Sequence, residues 1–167
     1  MSKIEVKQSA FGEAVYPHLN SPDTEFDSDG IYQVKLVVDY EQAQDDIKII
    51  NDVIVEELKK QSQKYPDKTD KFNRAPLPYK QLENGKVQFN FKSKFKPKLV
   101  DHNSEDLDKN IWGGSIIRVK YKPQGYYVSG TGLGCKLYLV AVQVKKLVEG
   151  TSQGFEKVEP IYEEIIA

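Results

Sequence analysis

Residues 86–122 read KVQFNFKSKFKPKLVDHNSEDLDKNIWGGSIIRVKYK, and they contain two runs in which apolar and polar residues alternate. A period of two is that of a β-strand with one buried and one solvated face. The polar loop 101–110 separates the two runs. The stretch therefore predicts two strands of a sheet, with Phe89 and Phe91 in the core. The residues predicted to share the apolar face are Val87, Phe89, Phe91 and Phe95 in the first run, and Ile117, Val119 and Tyr121 in the second.

Lysine and arginine occupy most of the opposite face of both runs. Residues 86–122 contain nine Lys or Arg residues and four acidic residues, a net charge of +5. A basic strand face beside Trp and Tyr suits a single strand of nucleic acid, because the cations follow the phosphates and the rings stack on bases. Exposed strand faces are also lysine-rich for solubility alone, so the pattern by itself leaves this second interpretation open.

The charge distribution along the chain favours a localised binding surface. The net charge is −1 overall, yet residues 1–70 carry −7, residues 71–85 +2, residues 123–148 +3 and residues 149–167 −4. A basic middle between acidic flanks is compatible with an anion-binding groove, and with an acidic end that competes for it. The 167 residues fit one domain, which we place at residues 1–150, followed by a short acidic C-terminal tail at 151–167.

Several classes of protein have no support in the sequence. There is no apolar run of membrane-spanning length and no apolar signal-peptide core, and the single cysteine, Cys135, suggests a reducing, cytoplasmic compartment. His18 and His102 are isolated, no phosphate-binding GxxxxGK[ST] loop occurs, and the glycines of GTGLG at 130–134 precede a strand rather than a helix. We therefore expect no metal, no cofactor and no catalytic activity, although a carboxylate-based hydrolase is unsupported rather than excluded.

The remaining elements predict the fold class. Residues 31–38 form a β-branched and aromatic strand, residues 14–19 a first strand, and Asn84-Gly85 a hairpin turn. Between them, apolar residues recur every three or four positions over 41–63, which indicates one long amphipathic helix. Together, these strands and the helix predict an all-β fold with one long helix. The expected architecture is a small closed antiparallel β-barrel capped by an α-helix, with an oligonucleotide-binding (OB) fold as the best fit.

Four aromatic residues lie close together in sequence near the basic residues of the second run, and they are Trp112, Tyr121, Tyr126 and Tyr127. In a barrel some of these rings belong to the core. Tyr126 and Tyr127 are adjacent on a predicted strand, so their side chains point to opposite faces and one of them faces outward. The sequence leaves open which one.

Two segments resemble the single-stranded-DNA-binding proteins of tailed bacteriophages. They are PLPYKQLENGKVQFNFKSKF at 76–95 and IWGGSIIRVKYKPQGYYVSGTGLGCKLYLVAVQVKKLVE at 111–149, and the order of elements is similar from about residue 13 to residue 149. The most specific parts are Tyr79 with its neighbouring prolines, FNFK at 89–92 and GGS…VKY at 113–121. The resemblance implies that Lys92 and Tyr121 occupy positions that lie at the DNA groove in the family. Arg74 and Lys94 match such positions less closely.

The resemblance implies an OB-fold that coats single-stranded DNA without strong sequence preference during phage replication and recombination, in the host bacterial cytoplasm. It also implies cooperation with a polymerase and a primase-helicase through an acidic C-terminal tail. The tail of this chain departs from that pattern, because GFEKVEPIYEEIIA at 154–167 is short and only mildly acidic. A homodimer and a cooperative assembly on DNA both stay open.

The predicted single-stranded-DNA-binding residues combine phosphate contacts with stacking rings. They are Arg74, Tyr79, Lys80, Lys92, Lys94, Lys96, Trp112, Arg118, Lys120, Tyr121, Lys122, Tyr126 and Tyr127. Two other functions remain as alternatives. One is a protein-interaction or structural phage module whose basic face is only solvated surface, and the other is a nuclease, which would need a metal-binding carboxylate cluster.

Overall fold

The computed structural model of the chain describes residues 5–24, 30–68 and 72–148. The predicted tail at 151–167 lies outside these residues. The strands are β1 (Lys7–Gln8), β2 (Gly12–Asp23), β3 (Ile31–Val38), β4 (Tyr79–Gln81), β5 (Val87–Ser93), β6 (Lys98–Val100), β7 (Ile116–Val128) and β8 (Gly132–Lys146). One long helix, α1 (Gln44–Lys64), follows β3 after a 3-10 turn at Tyr40–Ala43.

Five of the strands pair in a cycle: β2 with β3, β3 with β5, β5 with β8, β8 with β7, and β7 with β2. The predicted fold class, mostly β with one long helix, is confirmed. Two pairings depart from the predicted antiparallel arrangement, because β5 and β6 both run parallel to β8. A cycle with an odd number of strands cannot alternate direction at every junction, so one junction among the five has to be parallel.

The core lies inside this cycle and follows the predicted period of two. Phe89 and Phe91 of β5 are buried, as predicted, and Phe91 packs against the ring of Tyr121 with 5.2 Å between the ring centroids. Val34 and Leu36 of β3 are buried beside them. Burial of an apolar side chain of this size contributes roughly 1.5–3 kcal/mol relative to leaving it exposed.

The prediction that Phe95 shares this buried face is wrong. β5 ends at Ser93, and the Ser93 hydroxyl accepts a hydrogen bond of 2.9 Å from the backbone N–H of Phe95. This local bond turns the chain before the alternation can continue, since serine hydroxyls compete with strand hydrogen bonds for nearby backbone groups. The Phe95 side chain is consequently 82% exposed.

Helix α1 begins three residues later than predicted, because residues Tyr40–Ala43 form the 3-10 turn. Ile50 and Ile54 are buried, and the helix packs against β7 and β8. The backbones approach closely at Gly125, where a Cβ atom would lie 2.9 Å from the Cβ of Glu57. No helix within the described ranges is both long and apolar enough to cross a membrane.

Candidate nucleic-acid interface

Two lysines and a tyrosine form a row across three neighbouring strands. Lys92 of β5 and Lys122 of β7 both pair with Tyr138 of β8, which lies between them. Adjacent strands are about 4.8 Å apart, so the two lysine side chains project from the sheet on either side of Tyr138. Both lysines are exposed and the tyrosine is 38% exposed. The row therefore offers positive charge on both sides of an accessible aromatic ring.

A groove crosses the barrel at the Lys92 end of this row. One cavity of about 460 Å³ is lined by residues of β2, β3 and β5, and another of about 210 Å³ by residues of β5, β8 and the segment before β4. The two cavities share Asn90 and Lys92 as lining residues and therefore adjoin each other. We call the two adjoining cavities together the groove, and its lining includes Tyr16, His18, Lys35, Asn90, Lys92, Lys136 and Tyr138.

The polar groups in the groove differ in whether they have hydrogen-bond partners. Asp23 also lines it, but its Oδ2 accepts a hydrogen bond of 2.8 Å from Gln33 and lies 3.7 Å from His18 Nε2. Asn90 lines both cavities, and its Oδ1 atom is buried without a hydrogen-bond partner within the described residues. A buried amide oxygen without a partner is costly, so this position favours a ligand that donates a hydrogen bond.

Tyr16 stands out of β2 at the far end of the groove. Its φ of +48° lies in the left-handed region, which a bulky residue rarely adopts. The pairing of β2 with β3 is irregular between Val15 and His18, and this irregularity directs the Tyr16 ring outward, where it is 74% exposed. The ammonium group of Lys35 lies 5.8 Å from the ring centroid. Backbone strain of this kind clusters at functional sites.

A second basic depression lies further along β7 and β8, and we call it the cationic cavity. It has a volume of about 210 Å³, and its basic lining residues are Lys98, Arg118 and Lys120. Arg118 is held in place, because its Nε donates a hydrogen bond of 2.8 Å to Gln143 Oε1 and its guanidinium lies 4.7 Å from the ring centroid of Phe11.

The cations of the row and of the cationic cavity are available to an anion. Within the described part of the chain, none of the lysines of these two sites is within salt-bridge distance of a carboxylate. Their charges are therefore not neutralised locally. The lysines concerned are Lys92, Lys98, Lys120 and Lys122.

The other predicted cations are more scattered. Lys94 and Lys96 are exposed in the turn between β5 and β6, next to Lys92. Lys80 is exposed on the short strand β4 and pairs with Gln88. Arg74 is exposed in a segment that bridges to Leu133 at the start of β8. The structure thus brings Lys92 and Lys122 into one row and Arg118 and Lys120 into one cavity, and it leaves Lys80 and Arg74 outside both.

The adjacent tyrosines of β7 point in different directions, as the sequence required. The Tyr127 ring packs edge-on against Phe72 with 5.0 Å between the centroids, and it contacts the core. Tyr126 lies over Gly134, where a Cβ atom would come within 2.7 Å of its hydroxyl oxygen, and Lys136 Nζ is 5.2 Å from its ring centroid. Lys136 lines the groove, so of the two tyrosines Tyr126 is the better placed to contact a ligand there.

Trp112 is half-buried in the loop before β7. In this loop the backbone N–H of Gly114 donates a hydrogen bond of 2.8 Å to the carbonyl of Ala14. The loop therefore lies beside the part of β2 that carries Tyr16. Lys122 lies six positions beyond the start of β7 at Ile116, a distance of roughly 20 Å in a strand, so Trp112 is remote from the row.

The prediction that Tyr121 stacks on a base is wrong. Its side chain is completely buried, and its hydroxyl donates a hydrogen bond to Asp46 Oδ1 of α1. Burial, and then the bond to Asp46, raise the pKa of Tyr121 above its ordinary value. Burial also raises the pKa of Asp46, although the hydrogen bond from Tyr121 opposes this rise. Tyr121 connects the barrel to the helix and has no access to a ligand.

Tyr79 also faces the helix. Its ring lies 6.0 Å from that of Phe89 between centroids, and its hydroxyl donates a hydrogen bond of 3.2 Å to Asn51 Oδ1 of α1. On β4 it pairs with the inward-facing Phe89. The ring therefore packs between strand and helix rather than in the groove.

Sequence reasoning did not single out several residues that line the groove or the cationic cavity, namely Tyr16, Lys35, Lys98, Lys136 and Tyr138. The sequence pattern could have identified two of them. Lys136 and Tyr138 alternate with the buried Cys135, Leu137 and Leu139, which predicts that both face outward. Tyr16 carried no such signal, since its orientation depends on an irregularity in pairing. Lys98 reaches the cationic cavity only because β6 pairs with β8.

The comparisons with known proteins concern the fold. No protein-family model and no curated protein matches the sequence. Among solved structures, gp2.5, a single-stranded DNA binding protein encoded by bacteriophage T7, matches with a TM-score of 0.78 at 22% identity, over 95% of this chain and 100% of that chain. The chain has the fold of a phage single-stranded-DNA-binding protein.

A second phage protein gives the same result. The single-stranded DNA-binding protein from bacteriophage Enc34, solved in complex with single-stranded DNA, matches with a TM-score of 0.64 at 19% identity, over 86% of this chain and 88% of that chain. Another structure of the Enc34 protein matches with a TM-score of 0.63 at 17% identity, over 97% and 90% of the two chains. The shared fold spans nearly the whole chain.

Proposed function

We propose that this protein binds and coats single-stranded DNA, without strong sequence preference, in phage DNA replication and recombination. The observation that carries the proposal is the row in which Lys92 and Lys122 flank Tyr138 at the edge of the groove. The fold shared with the T7 and Enc34 proteins supports it. The place of action would be the host bacterial cytoplasm.

The chemistry of the row suits an unpaired polynucleotide. Lysines that contact phosphates release counterions, which gives binding free energy that does not depend on sequence. An exposed tyrosine can stack on any base, because every base has a π-face. Tyr138 between two cations supplies both interactions within about two strand spacings.

The strand would follow the groove and continue over β8 and β7. Tyr16 and Lys35 would contact it at one end, Lys92, Tyr138 and Lys122 in the middle, and the cationic cavity at the other end. Lys94, Lys96 and Tyr126 lie beside this path and extend the proposed contacts. Tyr121 is excluded because it is buried.

A titration with single-stranded oligothymidylate at several salt concentrations tests the proposal. We expect the logarithm of the binding constant to fall linearly with the logarithm of salt concentration, by about 0.7 per phosphate contact. Matched duplex DNA should bind more weakly, because its stacked bases are not accessible to the rings. A matched RNA strand measures the preference between the two nucleic acids. Binding that is absent, or that does not depend on salt, would favour a protein-interaction module with a merely solvated basic face.

Two further features of the proposal need their own measurements. Incubation of a labelled oligonucleotide with the protein and magnesium should leave it intact, whereas cleavage would indicate a nuclease. Docking of a phage polymerase or primase-helicase would involve the tail at 151–167, which lies outside the described residues. Loss of such binding after removal of the tail, with DNA affinity retained, is the expected result.

A further inference from the structure

The turn between β5 and β6 presents an exposed aromatic ring between lysines. Phe95 is 82% exposed, more than any other large apolar side chain of the described residues. Lys94 precedes it and Lys96 follows it, and both are exposed. The ring has little packing within the barrel, so its face is accessible to a ligand.

The ring is presented from a constrained turn. The Ser93 hydroxyl accepts the hydrogen bond from the Phe95 backbone N–H, and Pro97 on the other side is buried. β6 then pairs with β8, with Leu99 in the core. Because both ends of the turn are fixed, little conformational freedom would be lost when the ring meets a ligand.

The register places this turn between the groove and the cationic cavity. Lys92 at the end of β5 pairs with Tyr138, and Lys98 at the start of β6 pairs with Ala141. These two positions on β8 are about 10 Å apart, whereas the six steps of chain from Lys92 to Lys98 can span about 20 Å. The excess chain must therefore project from the sheet. Lys92 lines the groove and Lys98 lines the cationic cavity, so Phe95 lies between them along the chain.

We propose that Phe95 is a base-stacking residue that engages single-stranded DNA where the strand passes from the groove to the cationic cavity. The inference rests on the proposed function and adds a contact to it. The lysines on either side of the ring favour a polyanion over a protein partner, since they would meet the phosphates flanking the stacked base. A flat apolar ring accepts any base.

Three variants test this contact with oligothymidylates of about 4, 8 and 16 nucleotides, the range that one OB-fold covers. Phe95→Ala should weaken binding of the longer oligomers about 5- to 100-fold, and binding of the shortest, which fits within the groove, much less. Phe95→Leu keeps an apolar side chain without a π-face and should resemble Phe95→Ala. Tyr40→Ala removes a 51% exposed ring beside Asp39 and Glu41 and should bind as the unmodified protein does.

A fluorescence measurement reports on the ring itself. Trp112 is the single tryptophan of the chain, so Phe95→Trp combined with Trp112→Phe puts the only indole at position 95. Its emission should be quenched when oligothymidylate binds, since stacking on a base brings the two rings into contact.

The outcomes separate this inference from the proposed function. If the unmodified protein binds single-stranded DNA and Phe95→Ala binds every length equally well, the stacking role is overturned and the proposed function stands. If Phe95→Ala instead changes the sedimentation of the protein without DNA, the ring is a contact between copies of the chain and the inference is again overturned. If the unmodified protein binds no single-stranded DNA, both fail together.

Discussion

Lys92 of β5 and Tyr138 of β8 form the single residue pair that joins these two parallel strands. Because the strands pair at one position only, they diverge beside it, and the cavity that both strands line opens there. The parallel junction that a five-stranded cycle requires is thus also where a groove forms. The fold and the proposed binding surface have the same structural origin.

Replacement of Tyr138 tests the stacking role at this junction. Tyr138→Ala should reduce the free energy of single-stranded DNA binding by about 1–3 kcal/mol, the usual contribution of one stacked ring. Tyr138→Phe keeps the ring and should bind nearly as well as the unmodified protein. Equilibrium titrations with oligothymidylate at one salt concentration compare the two. Equal affinity for Tyr138→Ala and Tyr138→Phe would exclude stacking at this position.

Tyr16→Gly should separate stability from binding. Glycine adopts the left-handed region without the steric cost that a side chain incurs, which is about 1–2 kcal/mol. The lost ring is mostly exposed and buries little apolar surface. Urea unfolding should therefore show a free energy of unfolding that is unchanged or slightly higher, while oligothymidylate affinity falls. Lower stability together with unchanged affinity would show that Tyr16 has a structural role.

Tyr121→Phe should have the opposite effect, because Tyr121 is buried against α1. Removal of its hydroxyl leaves Asp46 without one of its partners and should lower the free energy of unfolding by about 1–3 kcal/mol. Single-stranded DNA affinity should not change. If the variant is fully folded and its affinity for single-stranded DNA is much lower, Tyr121 would belong to the binding surface after all.

The same variant predicts a dependence on pH. Burial raises the pKa of Asp46 in the folded state, so the folded protein holds this proton more tightly and stability falls as pH rises through that pKa. The Tyr121 hydroxyl opposes the rise, and its removal raises the Asp46 pKa further. The destabilisation caused by Tyr121→Phe should therefore be smaller near pH 4 than at pH 7. Unfolding curves at both pH values check this sign.

Cys135 should be chemically inert in the folded protein. Its side chain is 3% exposed, and burial raises its pKa to about 12. The thiolate is the reactive form, so a thiol reagent at pH 8 should modify it only when the protein unfolds. The rate of modification, measured with increasing urea, should follow the unfolded fraction. Rapid modification without denaturant would show that Cys135 is accessible while the protein is folded.

The sequence predicted the features that depend on local periodicity. Alternation identified β5 and β7 and their buried rings Phe89 and Phe91, and the recurrence of isoleucines identified α1. The basic face was predicted for the same reason, since the alternation of β5 and β7 directs the side chains of Lys92 and Lys122 outward.

The errors arise where something other than the alternation of the strand decides the orientation or the role of a side chain. Tyr121 follows the alternation into the core, but its bond with Asp46 involves a helix 75 positions away in sequence. Phe95 leaves the alternation because Ser93 forms a local hydrogen bond. Tyr16 faces outward through an irregular pairing of β2 with β3, and a parallel junction between β5 and β8 follows from closure of the cycle rather than from any motif.

The salt dependence of single-stranded DNA binding by Lys92→Gln/Lys122→Gln shows whether the two lysines beside Tyr138 contact phosphates. The matched control is Lys59→Gln/Lys60→Gln, which removes the same charge from exposed positions of α1. If the two lysines beside Tyr138 contact phosphates, the first variant should bind oligothymidylate more weakly, and its log–log salt slope should be shallower by about 1.4, or 0.7 for each lost contact. The control should retain the slope of the unmodified protein. Identical affinities and slopes for the two variants would contradict the account.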